Sequence, residues 1–124
     1  MSCEKSSLPD ASARTHLAQL LEAIEQIEAY VDGVDQTGFL ADRMRRDAVA
    51  MNLLVIGESA AARLPPSIRD LEQEIDWRAA IDLRNRIARG YASVSFTIVW
   101  SVVVVELPGL RAAVERMIAR VRNP

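Results

Sequence analysis

An all-α bundle of four to five helices is the fold class this sequence predicts, and three observations predict it. Apolar residues recur at three- and four-residue intervals along most of the chain. The runs are punctuated as helices are, with Asp, Ser and Thr where caps belong and Gly and Pro where helices stop. The β-branched VVVV cluster at 102–105 would also suit a strand, but no partner strand is found elsewhere in the sequence. With 124 residues, half of them apolar and 26% charged, the chain makes one domain and is too short for two. Residues 1–9 are expected to form a flexible polar head and residues 10–124 a single helical domain.

Asp10 or Ser12 is the expected cap of a first helix running through Ala29, because Leu17, Leu20, Leu21, Ile24 and Ile27 share one face. VDGVDQTG reads as a connection, with Thr37 a candidate for the next cap. A second helix is predicted from about Phe39 to Arg63, its stripe made by Leu40, Met44, Ala48, Met51, Val55 and Ala62 and widened by Leu54 and Ile56. Pro65 and Pro66 end it. Ser67 followed by Asp70 is a weak capping signal for a short helix to about Ile75. Asp76 is placed to cap a helix from Trp77 to about Arg89, with Gly90 as its terminator. YASVS then links to a helix over about Ser95 to Glu106. Pro108 either kinks that helix or starts a final one through Val121, with Leu110, Val114, Met117 and Val121 spaced for burial.

Composition excludes several function classes. The formal net charge is -2, so bulk attraction to nucleic acid is not expected and any such contact needs a local cluster. Arg outnumbers Lys almost completely, Lys5 being the one lysine, which a GC-rich genome explains better than phosphate recognition does. Cys3 is the only cysteine, so no intrachain disulfide or Cys-rich zinc site is expected, and a reducing cytoplasm is the natural compartment. The N-terminus carries no basic-then-apolar signal pattern, and Phe96–Val105 falls far short of the roughly 20 residues that span a bilayer, so no membrane association is expected. One His and one Cys cannot build a metal site, and the acids are scattered at helix-surface spacing, so no metal and no cofactor is predicted. There is no Gly-rich phosphate loop, since GESA at 57–60 lies inside the second helix. His16 reads as a surface or partly buried side chain, and Trp77 and Trp100 as core anchors.

The chemically informative segment is RNRIARGY, residues 84–91. Arg84, Arg86, Arg89 and Tyr91 put four groups able to contact phosphate within eight residues at the end of a helix. Neighbouring cations repel, so a structural role needs a carboxylate for each, and Asp76 and Asp82 lie near in sequence. Residue chemistry leaves salt-bridged surface arginines and an anion site equally open.

Three blocks, MRRDAVAMNLLVIGESAARLPPSIRD, IDWRAAIDLRNRIARGYASVSFTIVW and ELPGL, resemble the HepT branch of the HEPN superfamily over about Asp42 to Leu110. The first helix agrees in pattern only. The resemblance implies an all-α HEPN-type homodimer, a metal-independent endoribonuclease acting as a toxin, and a cognate MntA-like nucleotidyltransferase as antitoxin. The family's catalytic pattern is an Arg, usually a polar residue, then a His and a Tyr two positions beyond it. Arg84 matches the Arg, Asn85 the polar residue and Tyr91 the Tyr, while Arg89 stands where His is expected. The resemblance thus implies catalytic roles for Arg84 and Tyr91, phosphate contacts by Arg84, Asn85 and Arg86, and AMP transfer from ATP to Tyr91 as the means of neutralisation.

Arg89 is the departure that matters. Metal-free RNA cleavage needs a base for the 2′-hydroxyl, an acid for the leaving oxygen and cations for the phosphorane. Imidazole exchanges protons near neutrality, whereas a guanidinium stays protonated at any working pH. Arg89 can therefore bind phosphate but cannot act as the base, and the chain is expected to be inactive or severely impaired. Either a disabling His-to-Arg change was accumulated by a host or introduced by an experimenter, or the protein has drifted to a non-catalytic role. The intact surroundings favour the first. One motif per chain also implies a cleft shared across a two-fold dimer, where Arg84, Arg89 and Tyr91 of both copies would concentrate positive charge.

Overall fold

A computed structural model describes the backbone of residues 2–122 and the side chains of residues 11–121 other than Tyr91. Among the described residues there is no strand. Four long helical runs make the bundle: α1 (Ser2–Val31), α3 (Arg43–Glu58), α5 (Trp77–Arg89), and a run in which α6 (Phe96–Ser101) continues into α7 (Leu107–Arg122). Two short helices, α2 (Gln36–Ala41) and α4 (Pro66–Arg69), fill the connections. The helices pack in the spatial order α5, α3, α1, α7, so that α3 is held between α1 and α5.

The first helix starts at Ser2, ahead of the cap expected at Asp10 or Ser12, and its backbone is helical through the residues assigned to a polar head. The Asp10 side chain lies outside the described ones. Leu17, Leu20, Ile24 and Ile27 are fully buried, as their spacing predicts. The second predicted helix needs correction in two places. It is broken at Asp42, whose backbone is extended (φ -109°, ψ 97°) and whose carboxylate accepts the Arg45 N–H at 3.1 Å to cap α3. The cap of α2 is Asp35, which accepts the Gly38 N–H at 2.8 Å, and Thr37 lies inside the helix. The predicted stripe is only partly right: Ile56 is buried and Leu40 packs against the core as expected, but Met44, Met51 and Val55 are 84%, 61% and 38% exposed, while Val49, Leu53 and Ala60, outside the stripe, are buried. The second half of α3 is apolar nearly all round, so periodicity offers two stripes. Packing between α1 and α5 selects one.

Beyond Glu58 the helix widens into a π turn over Ser59–Arg63, closed by the Leu64 N–H donating to the Ser59 carbonyl at 2.9 Å. Pro65 precedes α4, and no side chain caps it, so the Ser67 signal is not used. Asp76 caps α5 as predicted, accepting the Ala79 N–H at 2.9 Å, and Gly90 ends it at φ +111°, a conformation that excludes side chains. Trp77 and Trp100 both anchor the core. The Trp77 indole donates to the Arg69 and Glu72 carbonyls, at 3.2 and 3.3 Å, and the Trp100 ring packs tilted at 35° against Phe39, 5.2 Å between centroids.

Ser95 caps α6, its hydroxyl accepting the Ile98 N–H at 3.4 Å. Pro108 lies in the first turn of α7, as expected of a proline that starts the final helix, but α7 follows α6 without a break. A second π turn, Val102–Glu106, absorbs the proline in one continuous helical run, because the wider ladder leaves a place for a residue without an N–H. The run from Phe96 to Val121 is thereby long and apolar enough, by length and composition, to cross a membrane, which the shorter stretch read from sequence was not. In the fold it is a bundle helix: Val99, Val103, Leu107, Val114 and Met117 are buried, and Arg111 pairs with Glu25 and Glu28 of α1.

Candidate functional site

The motif helix α5 rests on α3 at a point where α3 has no side chain. A Cβ built on Gly57 would stand 2.2 Å from the Arg84 Cβ and 2.9 Å from the Ala80 carbonyl, so glycine is what lets the two backbones approach. Arg84 is thereby laid across α3 at Gly57, the residue before Glu58. Its Nη1 meets Glu58 Oε2 at 2.5 Å and its Nε donates to Asn85 Oδ1 at 3.1 Å. The side chain is 25% exposed, and the two partners engage two different nitrogens of the guanidinium while part of it stays accessible.

Arg84 and Asn85 line an open groove of about 790 Å³ between α1, α3 and α5. Ala88, one turn on, continues the α5 wall. Gln19, Glu22 and Gln26 come from α1, and Asn52, Val55 and Glu58 from α3. Ser59 and Arg63 of the π turn close one end. The lining mixes guanidinium, carboxamide and carboxylate groups with the apolar Ala23, Leu54, Val55 and Ala88, so it offers hydrogen bonds and apolar surface together.

The other motif residues are not gathered into this groove. At about 100° per residue, Arg86 projects from the far side of α5 and Arg89 flanks the groove wall. Both are exposed, and neither has an ion-pair partner among the described residues. The acids that sequence offered them are engaged elsewhere: Asp82 meets Arg78 at 3.5 Å, and Asp76 caps the helix. The choice left open by the sequence therefore divides along the motif. Arg84 is salt-bridged, by an acid 26 residues away that proximity in sequence could not suggest, while Arg86 and Arg89 are not. Tyr91 opens a short turn, Tyr91–Ser93, pinned by the Ser93 hydroxyl donating to the Arg86 and Gly90 carbonyls at 2.8 and 2.9 Å. Its side chain lies outside the described ones. His16 does not line the groove, but its ring lies 3.4 Å from Gln19, which does.

Glu58, Gly57, Asn52 and Arg63 were not singled out from sequence. GESA was visible as a block, yet nothing in a linear reading ties residue 58 to residue 84. Among the described residues no group of three or more potential metal ligands converges.

A family model described as ribonuclease HepT-like matches residues 20–117 of the chain. A probable ribonuclease HepT of Thermococcus cleftensis is 30% identical over 106 residues, 86% of this chain and 96% of the relative. A candidate RNase of Caldanaerobacter subterraneus subsp. tengcongensis is 25% identical over 86% of this chain and 95% of its own length. A protein of Methanocaldococcus jannaschii, whose name couples gamma-glutamylcyclotransferase to a candidate RNase, is 31% identical over 79% of this chain, which spans 44% of it. No solved structure matches.

Proposed function

The chain belongs to the HepT-like ribonuclease family, and from that membership we propose that it is the toxin half of a toxin–antitoxin pair, built to cleave RNA without metal and disarmed by Arg89. The observation that carries this reading is Arg84 held on the groove wall by Glu58 and Asn85, and the sequence puts Arg89, five residues on, where the family chemistry needs a histidine. Arg84 is the cation that stabilises the charged phosphorane. Asn85 supports phosphate binding beside it, and Arg86 and Arg89 add positive charge at the helix end. Among the described residues that line the groove there is no histidine, the side chain that exchanges a proton near neutral pH.

The active assembly is a homodimer. Supporting this is the exposed apolar stripe of Met44, Met51 and Val55, which runs along α3 to the groove, Val55 being a member of both. A second copy covering that stripe would bring its own Arg84, Arg89 and Tyr91 near the first. An MntA-like nucleotidyltransferase neutralises the toxin by transferring AMP to Tyr91: the phenol oxygen bonds the α-phosphorus of ATP and pyrophosphate leaves. The attached nucleotide adds bulk and negative charge beside Arg84 and Arg89, where RNA phosphate would bind.

Restoring the histidine tests the proposal. Arg89→His should raise RNA cleavage on the order of 100- to 10,000-fold and arrest growth on expression. A variant that folds, yet neither cleaves nor arrests, would sink the nuclease reading. That outcome would favour a second one, to which Arg89 itself points: a non-catalytic helical module that docks a nucleotidyltransferase or a nucleotide. For the modification, incubation with the partner enzyme and ATP should add AMP-sized increments to the intact mass, and Tyr91→Phe should abolish them. An equal gain in Tyr91→Phe would place the modification elsewhere.

A further inference from the structure

Arg63 lines the same groove as Arg84, and the motif reading passes over it. It is exposed, and among the described residues it has neither a carboxylate nor a hydrogen-bond partner. Its place in the groove comes from backbone geometry. In a regular α-helix, five residues at about 100° each would carry Arg63 roughly 140° past Glu58 and leave Ala62 on the groove side. The π turn closes through the Leu64 N–H and the Ser59 carbonyl, five residues apart, and so returns Arg63 to the side of Glu58. Arg63 lines the groove and Ala62 does not. Sequence periodicity, which assumed a regular helix, put Ala62 on the buried stripe.

Charge gives that placement a consequence. The charged side chains along the groove are Glu22, Glu58, Arg63 and Arg84, which cancel. Without Arg63 the lining would carry one net negative charge and repel a phosphodiester. Glu58 is also already taken by Arg84, so Arg63 is the groove cation with all its donors available.

We propose that Arg63, aimed by the π turn, is a second phosphate-binding residue of the groove and engages the backbone of single-stranded RNA alongside Arg84. The proposal rests on the ribonuclease reading above and names the contact by which that site holds its substrate.

The test is binding rather than cleavage, so the chain is used as it stands, with Arg89 in place. Fluorescence anisotropy with a labelled single-stranded RNA oligonucleotide is measured over a series of KCl concentrations. Arg63→Ala should weaken binding about 10-fold and make the log–log salt slope shallower by about 0.7, the change expected for one lost phosphate contact on a single strand. Arg63→Lys should keep most of the affinity, and Arg78→Ala, which removes an exposed cation outside the groove, should leave it unchanged. Moving the cation by one position, in the double variant Ala62→Arg with Arg63→Ala, should not restore binding. If Arg63→Ala binds as the parent does while Arg84→Ala weakens, the Arg63 contact is wrong and the ribonuclease site stands. If neither substitution has an effect, the groove itself is misassigned. A double variant that binds as well as the parent would overturn the role of the π turn. Free AMP competing at the same concentration as the oligonucleotide would make this a mononucleotide pocket and not an RNA track.

Discussion

The arginine of the motif can lie on α3 only because position 57 has no side chain, and the nearest atoms to an added Cβ are the Arg84 Cβ and a backbone carbonyl, neither the flexible end of a chain. Gly57→Ala would gain about 1 kcal/mol of helix propensity. The clash should cost more, about 1–3 kcal/mol, because α5 must move away from α3. The expected outcome is a lower melting temperature together with weakened RNA binding, measured by thermal denaturation and anisotropy. An unchanged melt with unchanged binding would show that the contact yields without consequence. Glu58 and Arg84 were each readable as polar helix residues; their pairing was not, because it depends on the register in which two helices cross.

The elements differ in how much of their structure is local. α5 is the most legible: its cap, its start at Trp77 and its glycine stop follow from neighbouring residues, and all are found where predicted. Asp76→Ala removes the carboxylate that takes the Ala79 N–H and should cost about 1 kcal/mol, seen as a shift of the urea midpoint with the slope unchanged. A shift under a few tenths would mean that water caps the helix equally well. The π turns lie at the other extreme. Ser59–Arg63 and Val102–Glu106 have no local signature beyond Pro108 just after the second, and each rotates everything beyond it relative to a regular helix. The break at Asp42 rests on an aspartate that accepts a backbone N–H three residues on, and the apolar pattern that continues on both sides hides it in the sequence.

Across the whole molecule, ion pairs between distant helices tie the bundle at its edges. Glu72, only 8% exposed, meets Arg116 at 2.7 Å and Arg120 at 3.7 Å and so fastens the turn after α4 to α7. Hydrogen bonding from Arg116, ahead of the nearby Arg116 and Arg120 charges and against the cost of burial, holds its carboxyl below the usual 4.5. A lowered folded value contributes stability that is complete above the unfolded pKa and is lost as pH falls through the folded one. Stability should therefore decline below about pH 4.5. Glu72→Gln should lose about 1–2 kcal/mol at neutral pH, less than a fully buried pair because both arginines are half exposed, and should flatten that acid limb. Denaturant melts from pH 3 to 7 check it, and a limb equally steep in the variant would assign the acid sensitivity to other carboxylates.

By itself the sequence determined the helical class, the order of the long helices, the buried face of α1 and the caps of α5, because each rests on residues within a turn or two of one another. The resemblance carried by RNRIARGY, and the Arg89 departure within it, were equally legible, since a motif is a linear object. Only the tertiary structure decided which face of α3 is buried, which acid holds Arg84, and that Arg63 shares the groove. Those outcomes depend on the approach and register of helices that meet from opposite ends of the chain. An apolar helix with two usable stripes carries no local preference between them, and its neighbours choose.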